Sequence, residues 1–586
     1  MNLKGLFVNK FNMGVIILLV LIFSVSCTKL ESTSLEGTSG GSGSDLTAPL
    51  APTIISPLNG STLNLASITL TGQCETGATV NISGNINNSP ITAACISSVY
   101  SSTLTLSPSN GSKTINVTQT DASNNVSVSR GLNLTLNILS PVTGDYPIPA
   151  NCDVPPSFTN SNKFYVDPVN GNMNNDGSSA NPWRTLAEVL SSNKIESRSY
   201  AKPYVVGSQP TQIKNAGAPV KAGDAIYLRN GNHGTVMIQD YSNLEFIAVR
   251  AQAGHNPRLE RLYVTAASNF VFEGLTVTPN TLSAGGTIVE ISDHNFHGPA
   301  SNIVIAKNTV YSTLSSSAYS AANWLNAASG IMSYSPCTTI VENNITNVRF
   351  GGGVLNVDSI MDSNLVQNFS GDGLRINASR TTLINNTIMD SRLEDSDGDD
   401  NHDDGIQSFN LGSDPFYDMT IEANTIIEST NPNNTFKSGM QGIGIFDGVY
   451  DRLKVLNNVV SVTFYQDIGI LGTRNSIIAN NTVVGHPQSW CGLFDSKTGA
   501  APVNSTFKNN IGYIIIAPAS GSSNNITVTN PNDHFVTFDN VNKVYDFHLK
   551  STSTAKTAGV PLQTVLKDIE GKVRSTTTPS VGAYEY

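Results

Sequence analysis

Charge is what this chain has least of. Only 13% of its 586 residues are charged, and 44 Asp and Glu outnumber 33 Lys and Arg, for a net charge of −11. That balance excludes a nucleic-acid partner, which needs a basic face to neutralise phosphates. An acidic polysaccharide would likewise need a cation or a local basic patch. Aromatics are sparse at 7%. Lys and Glu are scarce beside Gly, Asn, Ser and Thr, which disfavours helices and favours strands joined by turns. The length exceeds one ordinary core, so two or three folding units are expected.

The apolar run Val15 to Phe23 is too short to span a bilayer comfortably. It follows Lys4 and Lys10 and leads into Ser24-Val25-Ser26-Cys27, the layout of an export signal. Ending on Cys27, it resembles a bacterial lipoprotein signal, which implies lipidation of Cys27 and a membrane anchor for an exported cell-envelope protein; a monomer is expected. Residues 1–27 are the signal and 28–51 a Ser/Gly-rich tether. An oxidising compartment lets cysteines pair. Cys74 and Cys95 are the expected couple, while Cys152, Cys337 and Cys491 leave one over and stay unassigned.

Between 52 and 139, alternating runs such as Ser67-Ile68-Thr69-Leu70-Thr71 and Lys113-Thr114-Ile115-Asn116-Val117 lie between Gly, Asn and Pro turns. This is the period of a β-sandwich. The opening A-P-T-I-I-S-P-L-N-G resembles bacterial Ig-like domains, which implies a spacer. A Pro-rich stretch, 140–162, is read as a second linker.

From 163 to 586 a different pattern governs. Phe164-Tyr165-Val166 precedes Trp183, Leu186, Val189 and Leu190 at helical spacing, with Asn181-Pro182 as the start signal. Short apolar segments then recur around Asn308, Asn344, Asn364, Asn386, Asn424, Asn458, Asn481 and Asn510. Gaps of 20 (344 to 364), 22 (364 to 386) and 23 (458 to 481) set a coil length near twenty residues. A repeat of β-formers with one recurrent polar side chain is a β-solenoid, its Asn residues stacking along the axis. These segments, with the closing Ser580-Val581-Gly582-Ala583-Tyr584-Glu585-Tyr586, resemble the right-handed parallel β-helix proteins of the pectate-lyase-like superfamily. The expected class is therefore all-β, a right-handed parallel β-helix preceded by an Ig-like sandwich.

A second motif recurs beside the Asn: Ser329-Gly330-Ile331, Gly352-Gly353-Val354, Asp372-Gly373-Leu374, Asp404-Gly405-Ile406, Gln441-Gly442-Ile443 and Cys491-Gly492-Leu493, with Asp467 one residue out of step. Equivalent positions on neighbouring coils stack about 4.8 Å apart. Asp372, Asp404, Gln441 and Asp467 should thus form one stripe, with Arg375 and Gln407 facing the same way. Arg375, Lys437 and Arg474 are its nearby cations. Into its edge enters E-D-S-D-G-D-D-N-H-D-D-G-I-Q, Glu394 to Gln407, with seven carboxylates in fourteen residues. Such crowding asks for a cation or a bound substrate.

Asp395, Asp397, Asp399 and Asp403 have the alternate spacing of a calcium loop. Asp372, Arg375, His402 and Asp404 are the candidate catalytic groups, and Gln407, Gln441 and Asp467 the candidate substrate contacts. Paired carboxylates suit glycoside hydrolysis; the layout is similar to polygalacturonase-type hydrolases, although their N-T-D, G-H-G and R-I-K elements are absent. The resemblance to pectate lyases implies instead calcium-assisted elimination from a uronate. A polysaccharide lyase or hydrolase is expected, and the contrasting expectation is a surface protein that binds glycan without cleaving it.

Overall fold

A computed structural model of the chain describes residues 47–586 apart from 58, 60–61, 64–66, 88, 108–110, 137–145, 281–284, 394–402, 437–438 and 519. It divides into two compact units between residues 141 and 142. The first holds a five-stranded sheet, ordered Thr62–Leu63, Arg130–Leu136, Gly111–Thr120, Thr79–Gly84, Ile91–Ala94, and an antiparallel pair, Ser67–Gln73 with Val99–Thr105. Alternate residues such as Leu70, Val80, Ile82, Leu104, Ile115 and Val117 fill one core. Cys74 and Cys95 are disulfide-bonded across the two sheets.

The second unit is a parallel β-helix, with the right-handed course that parallel crossover connections take. Each coil supplies three short strands. One face stacks Ser329–Ser333, Gly352–Val354, Leu374–Ile376, Asp404–Phe409, Gln441–Phe446, Gln466–Leu471 and Trp490–Phe494. A second stacks Thr338–Val341 through Thr506–Lys508, and the third is a twelve-stranded sheet from Gly231–Asn232 to Ile526–Thr527. Inward Ile, Val, Leu and Phe side chains form one continuous core along the axis, which is how solenoid coils stabilise one another.

The polar repeat is a hydrogen-bonded ladder. Asn308, Asn343, Asn364, Asn386, Asn424, Asn458, Asn481, Asn510 and Asn525 each have an Oδ1 or Nδ2 bonded to the next, at 2.9 to 3.1 Å. Asn343 therefore takes the place expected of Asn344, and the ladder reaches one coil further than the sequence motif. The residue before each ladder Asn is left-handed, for example Glu342 (φ 55°), Ala423 (φ 55°) and Asn480 (φ 57°). The ladder bonds offset the strain of holding non-glycine residues there.

The N-terminal end is closed by Lys163–Val166, paired to Ala225–Leu228, and by a short helix, Leu186–Ser191. Its N-cap is Thr185, whose side chain accepts from the Glu188 N–H, so the helix begins after the Asn181-Pro182 signal rather than on it. Trp183 is buried and stacked on Phe164 at 5.2 Å. Of the Pro-rich stretch read as a linker, residues 146–162 are part of this unit. Tyr146, Ile148 and Phe158 pack on Phe246, Ala248 and Val271, and Cys152 is bonded to Cys337. Cys491 is thus the remaining thiol among the described residues, and it is buried. At the C-terminal end an antiparallel pair, Phe535–Asp539 and Val544–Leu549, packs on Val581 and Ala583.

Candidate functional site

The coil register decides which side chains meet. Leu374 pairs with Ile406 and Arg375 with Gln407, which sets Asp372 directly beside Asp404. The Asp404 N–H donates to Asp372 Oδ1 at 2.9 Å. Asp404 itself pairs with Gln441, whose amide oxygen accepts from Gln466 Nε2. Gln466 in turn pairs with Trp490, across a register shift that falls between Gln466 and Ile468. One column therefore runs Asp372, Asp404, Gln441, Gln466, Trp490. Phe350 precedes it, since Gly352 pairs with Leu374.

Two expectations about this column change. Asp467 does not continue it: Asp467 is the bulge residue, fully buried, with Oδ2 accepting from Ser489. Gln466 stands in the column instead. The Gly351-Gly352-Gly353 run and the Cys491 motif also sit in other registers than the sequence alignment gave, because Ile331 pairs with Gly352 and Ile468 with Cys491. Bulges and strand-end shifts of this kind leave no mark in a one-residue motif. Gln466 and Phe350 were missed for that reason.

Around Asp372 the arrangement is fully engaged. Its Oδ2 accepts from Arg375 Nε in an ion pair, while Oδ1 takes the Asp404 N–H. Arg375 also lies 4.5 Å from the centroid of the Phe350 ring, a cation–π contact that fixes the guanidinium a second time. Its side chain is 23% exposed, whereas that of Asp372 is 2% exposed. Of this ion pair, the Arg375 guanidinium is therefore the part that reaches solvent.

Asp404 is the more unusual group. Oδ2 accepts from Gln407 Nε2 at 3.0 Å, and Oδ1 is buried with no hydrogen-bond partner among the described residues. Burial, then the neighbouring charges of Asp372 and Asp403, push its pKa well above the ordinary carboxylate range, with Gln407 opposing. Gly444, one coil on, has no room for a side chain: a Cβ there would meet the Phe446 ring at 2.4 Å and Asp404 Oδ1 at 2.5 Å. Asp404 Oδ1 and the Phe446 ring thus border the same space in front of Gly444, and Gln407 is bonded to the other Asp404 oxygen.

Asp403 is half-buried at the same corner. Asp395, Asp397, Asp399, His402 and Lys437 lie outside the described residues. Arg474 is on a small separate sheet with Phe416–Tyr417 and Tyr450–Asp451, off the column. Among the described residues, no three His, Cys, Asp or Glu are grouped so as to hold a metal ion. Of the aromatics around the column, Tyr450 is buried in the core. Trp490 and Phe446 are on the sheet's outer side and partly exposed. Tyr465 and Phe494 join them.

Fold and column together define a parallel β-helix protein with an acidic, amide-lined stripe on one sheet. No protein-family model matches the chain, and no curated protein is similar to it in sequence. Among solved structures it is similar to the pectate lyase Pel9A, at 16% identity and a TM-score of 0.39, over 72% of this chain and 96% of that one. It is similar also to the PL6 family alginate lyase AlyGC, at 15% identity and a TM-score of 0.32, over 52% of this chain and 48% of that one. A third is the A-module of the Azotobacter vinelandii mannuronan C-5 epimerase AlgE6, at 11% identity and a TM-score of 0.33, over 52% of this chain and 91% of that one. At these identities the likeness concerns the coiled fold alone.

Proposed function

We propose that the protein cleaves a uronate-containing polysaccharide by elimination at the corner formed by Arg375, Asp403 and Gln407. The observation that carries this is Arg375: a cation pinned by buried Asp372, partly exposed, one coil from Gln407. A guanidinium so fixed is suited to receive a sugar carboxylate. Hydrolysis by two carboxylates is less well supported. It needs both groups flanking the glycosidic bond, and Asp372 and Asp404 are both buried and already bonded.

In the elimination, a base removes the C5 proton beside the sugar's carboxyl group. The electrons of that C–H bond form the C4–C5 double bond, the C4–O4 bond breaks, and the departing oxygen takes a proton. Arg375 offsets the negative charge that develops on the carboxylate. His402, next to Asp403 in the chain and ordinarily titrating near neutrality, is the base of this proposal. Asp404 positions Gln407 and the chain at Asp403.

Calcium is part of the proposal. The unpartnered Asp404 Oδ1 is the kind of oxygen a hard cation takes, and the loop carboxylates Asp395, Asp397, Asp399 and Asp403 would supply the other donors. Bound there, the ion would acidify the C–H beside the sugar's carboxyl. Export with a lipid anchor at Cys27 is likewise proposed, supported by the two disulfides, which suit an oxidising compartment; incorporation of labelled palmitate, lost in Cys27→Ala, tests it. The first unit is proposed as an Ig-like spacer.

The test is a panel of uronate polysaccharides incubated with the protein and calcium, read by ultraviolet absorbance of the unsaturated product. Absorbance that rises with wild type and not with Arg375→Ala is expected. Binding without any cleavage would favour the second reading, a glycan-binding surface protein, for which the exposed rings beside the column speak.

A further inference from the structure

The stripe does not end where the charged corner ends. Past Asp404 the same column continues through Gln441 and Gln466 to Trp490, so Trp490 lies three coils from Asp404, roughly 14 Å along the axis at the spacing of paired strands. Arg375 is one coil further back, which makes the whole span about 19 Å, several sugar rings long. At the far end the rings gather. Trp490 and Phe494 meet edge to face at 4.9 Å between centroids, and Tyr465 lies 6.3 Å from Trp490. Tyr465 is 50% exposed.

The backbone makes room for this surface. A Cβ at Gly492 would meet the Phe494 ring at 2.4 Å, so the ring leans back over the sheet instead of standing away from it. The same relation holds between Gly444 and Phe446, and those two pairs flank Gly469, over which the Gln466 side chain lies. The outer face is therefore a low pavement of the Phe446, Trp490 and Phe494 rings beside the buried amides of Gln441 and Gln466, on the same sheet as Arg375.

We propose that Trp490 and Tyr465 form a stacking subsite for a pyranose ring of the same glycan chain whose acidic sugar is held at Arg375. This rests on the reading of the corner given above and extends it: the ligand is a polysaccharide lying parallel to the helix axis and engaged over several residues, with a charge contact at one end and an apolar sugar face at the other. An aromatic face takes the C–H side of a sugar ring. A short ligand reaches one end only. A long one gains from both, by tethering.

Trp490 supplies its own reporter. Of the three tryptophans, Trp183 and Trp324 are 0% and 1% exposed, so acrylamide quenching of the full-length protein reads Trp490. The probes are disaccharides and octasaccharides prepared from a panel of uronate polysaccharides. At least one octasaccharide is expected to lower the quenching constant about two-fold, with no effect of the matching disaccharide. Calorimetry of Trp490→Ala and Tyr465→Ala should show octasaccharide binding weakened about ten-fold, with the disaccharide unchanged and Trp490→Phe near wild type.

Octasaccharide that binds with wild-type affinity to Trp490→Ala, or that leaves quenching unchanged, overturns the subsite and leaves the reading of the corner intact. Loss of binding in Trp490→Ala but not in Arg375→Ala overturns the corner and keeps the subsite. A panel that neither binds nor protects Trp490 overturns both.

Discussion

The backbone N–H of Asp404 donates to the side chain of Asp372, one coil before it, at 2.9 Å. Through that bond the backbone at Asp404 is fastened to the carboxylate that also holds Arg375. The chain at Asp403–Asp404 and the cation of the proposed site thus depend on one buried side chain. Asp372→Asn keeps the size of the group and removes its charge, which frees Arg375. Its activity on a uronate polymer is expected to fall at least about ten-fold, with a thermal midpoint within a few degrees of wild type; calorimetry and the elimination assay together check this.

Gly444→Ala adds one methyl group that would meet the Phe446 ring at 2.4 Å and Asp404 Oδ1 at 2.5 Å. Overpacking of this kind costs about 1–3 kcal/mol. It should displace Phe446 and Gln407, so KM for long substrates rises while the circular dichroism spectrum stays that of a β-helix. An unchanged KM would show that the placing of Phe446 and Gln407 does not matter.

The Asn ladder predicts a stability effect far from the site. Asn386 Nδ2 donates to the Met361 carbonyl and to Asn424 Oδ1, and Oδ1 accepts from the Asn364 N–H and Nδ2, all at 3.0 Å. Asn386→Ala leaves these buried partners unmet, at about 1–3 kcal/mol for each unsatisfied group. A clear drop in thermal midpoint is expected, with neighbouring coils affected first in hydrogen exchange.

Buried carboxyl groups set a pH trend. Desolvation raises the pKa of Asp467, which is wholly buried, and that of Glu428, with only partial relief from Ser489 and Thr463. A carboxyl whose folded pKa lies above its unfolded value binds more protons when folded. Its contribution is therefore fully present below the unfolded pKa and is lost as pH rises through the folded one. Wild type should lose stability on going from mildly acidic to alkaline buffer. Asp467→Asn, which keeps the Ser489 bond and cannot ionise, should lose less; melting curves across that range, with and without the substitution, are the check.

Much of this architecture was legible in the sequence. Turn positions that demand a ladder Asn and inward positions that demand an aliphatic repeat with the coil, so the solenoid announced itself. Asp372, Asp404, Arg375, Gln407 and Gln441 fell on one face for the same reason. What did not show was register where strands slip. The bulge at Asp467 buried that side chain and put Gln466 and Trp490 on the column. The Pro-rich stretch looked like a linker because its composition carries no period, whereas its place is fixed by three apolar side chains and the bond from Cys152 to Cys337.

The most direct test of the central claim is ultraviolet absorbance from unsaturated uronide, measured on a uronate polymer with wild type and Arg375→Ala, each with calcium and with chelator. The account predicts product from wild type with calcium, at least about a hundred-fold less from Arg375→Ala, and a loss on chelation that added calcium restores. Undiminished product from Arg375→Ala would contradict it.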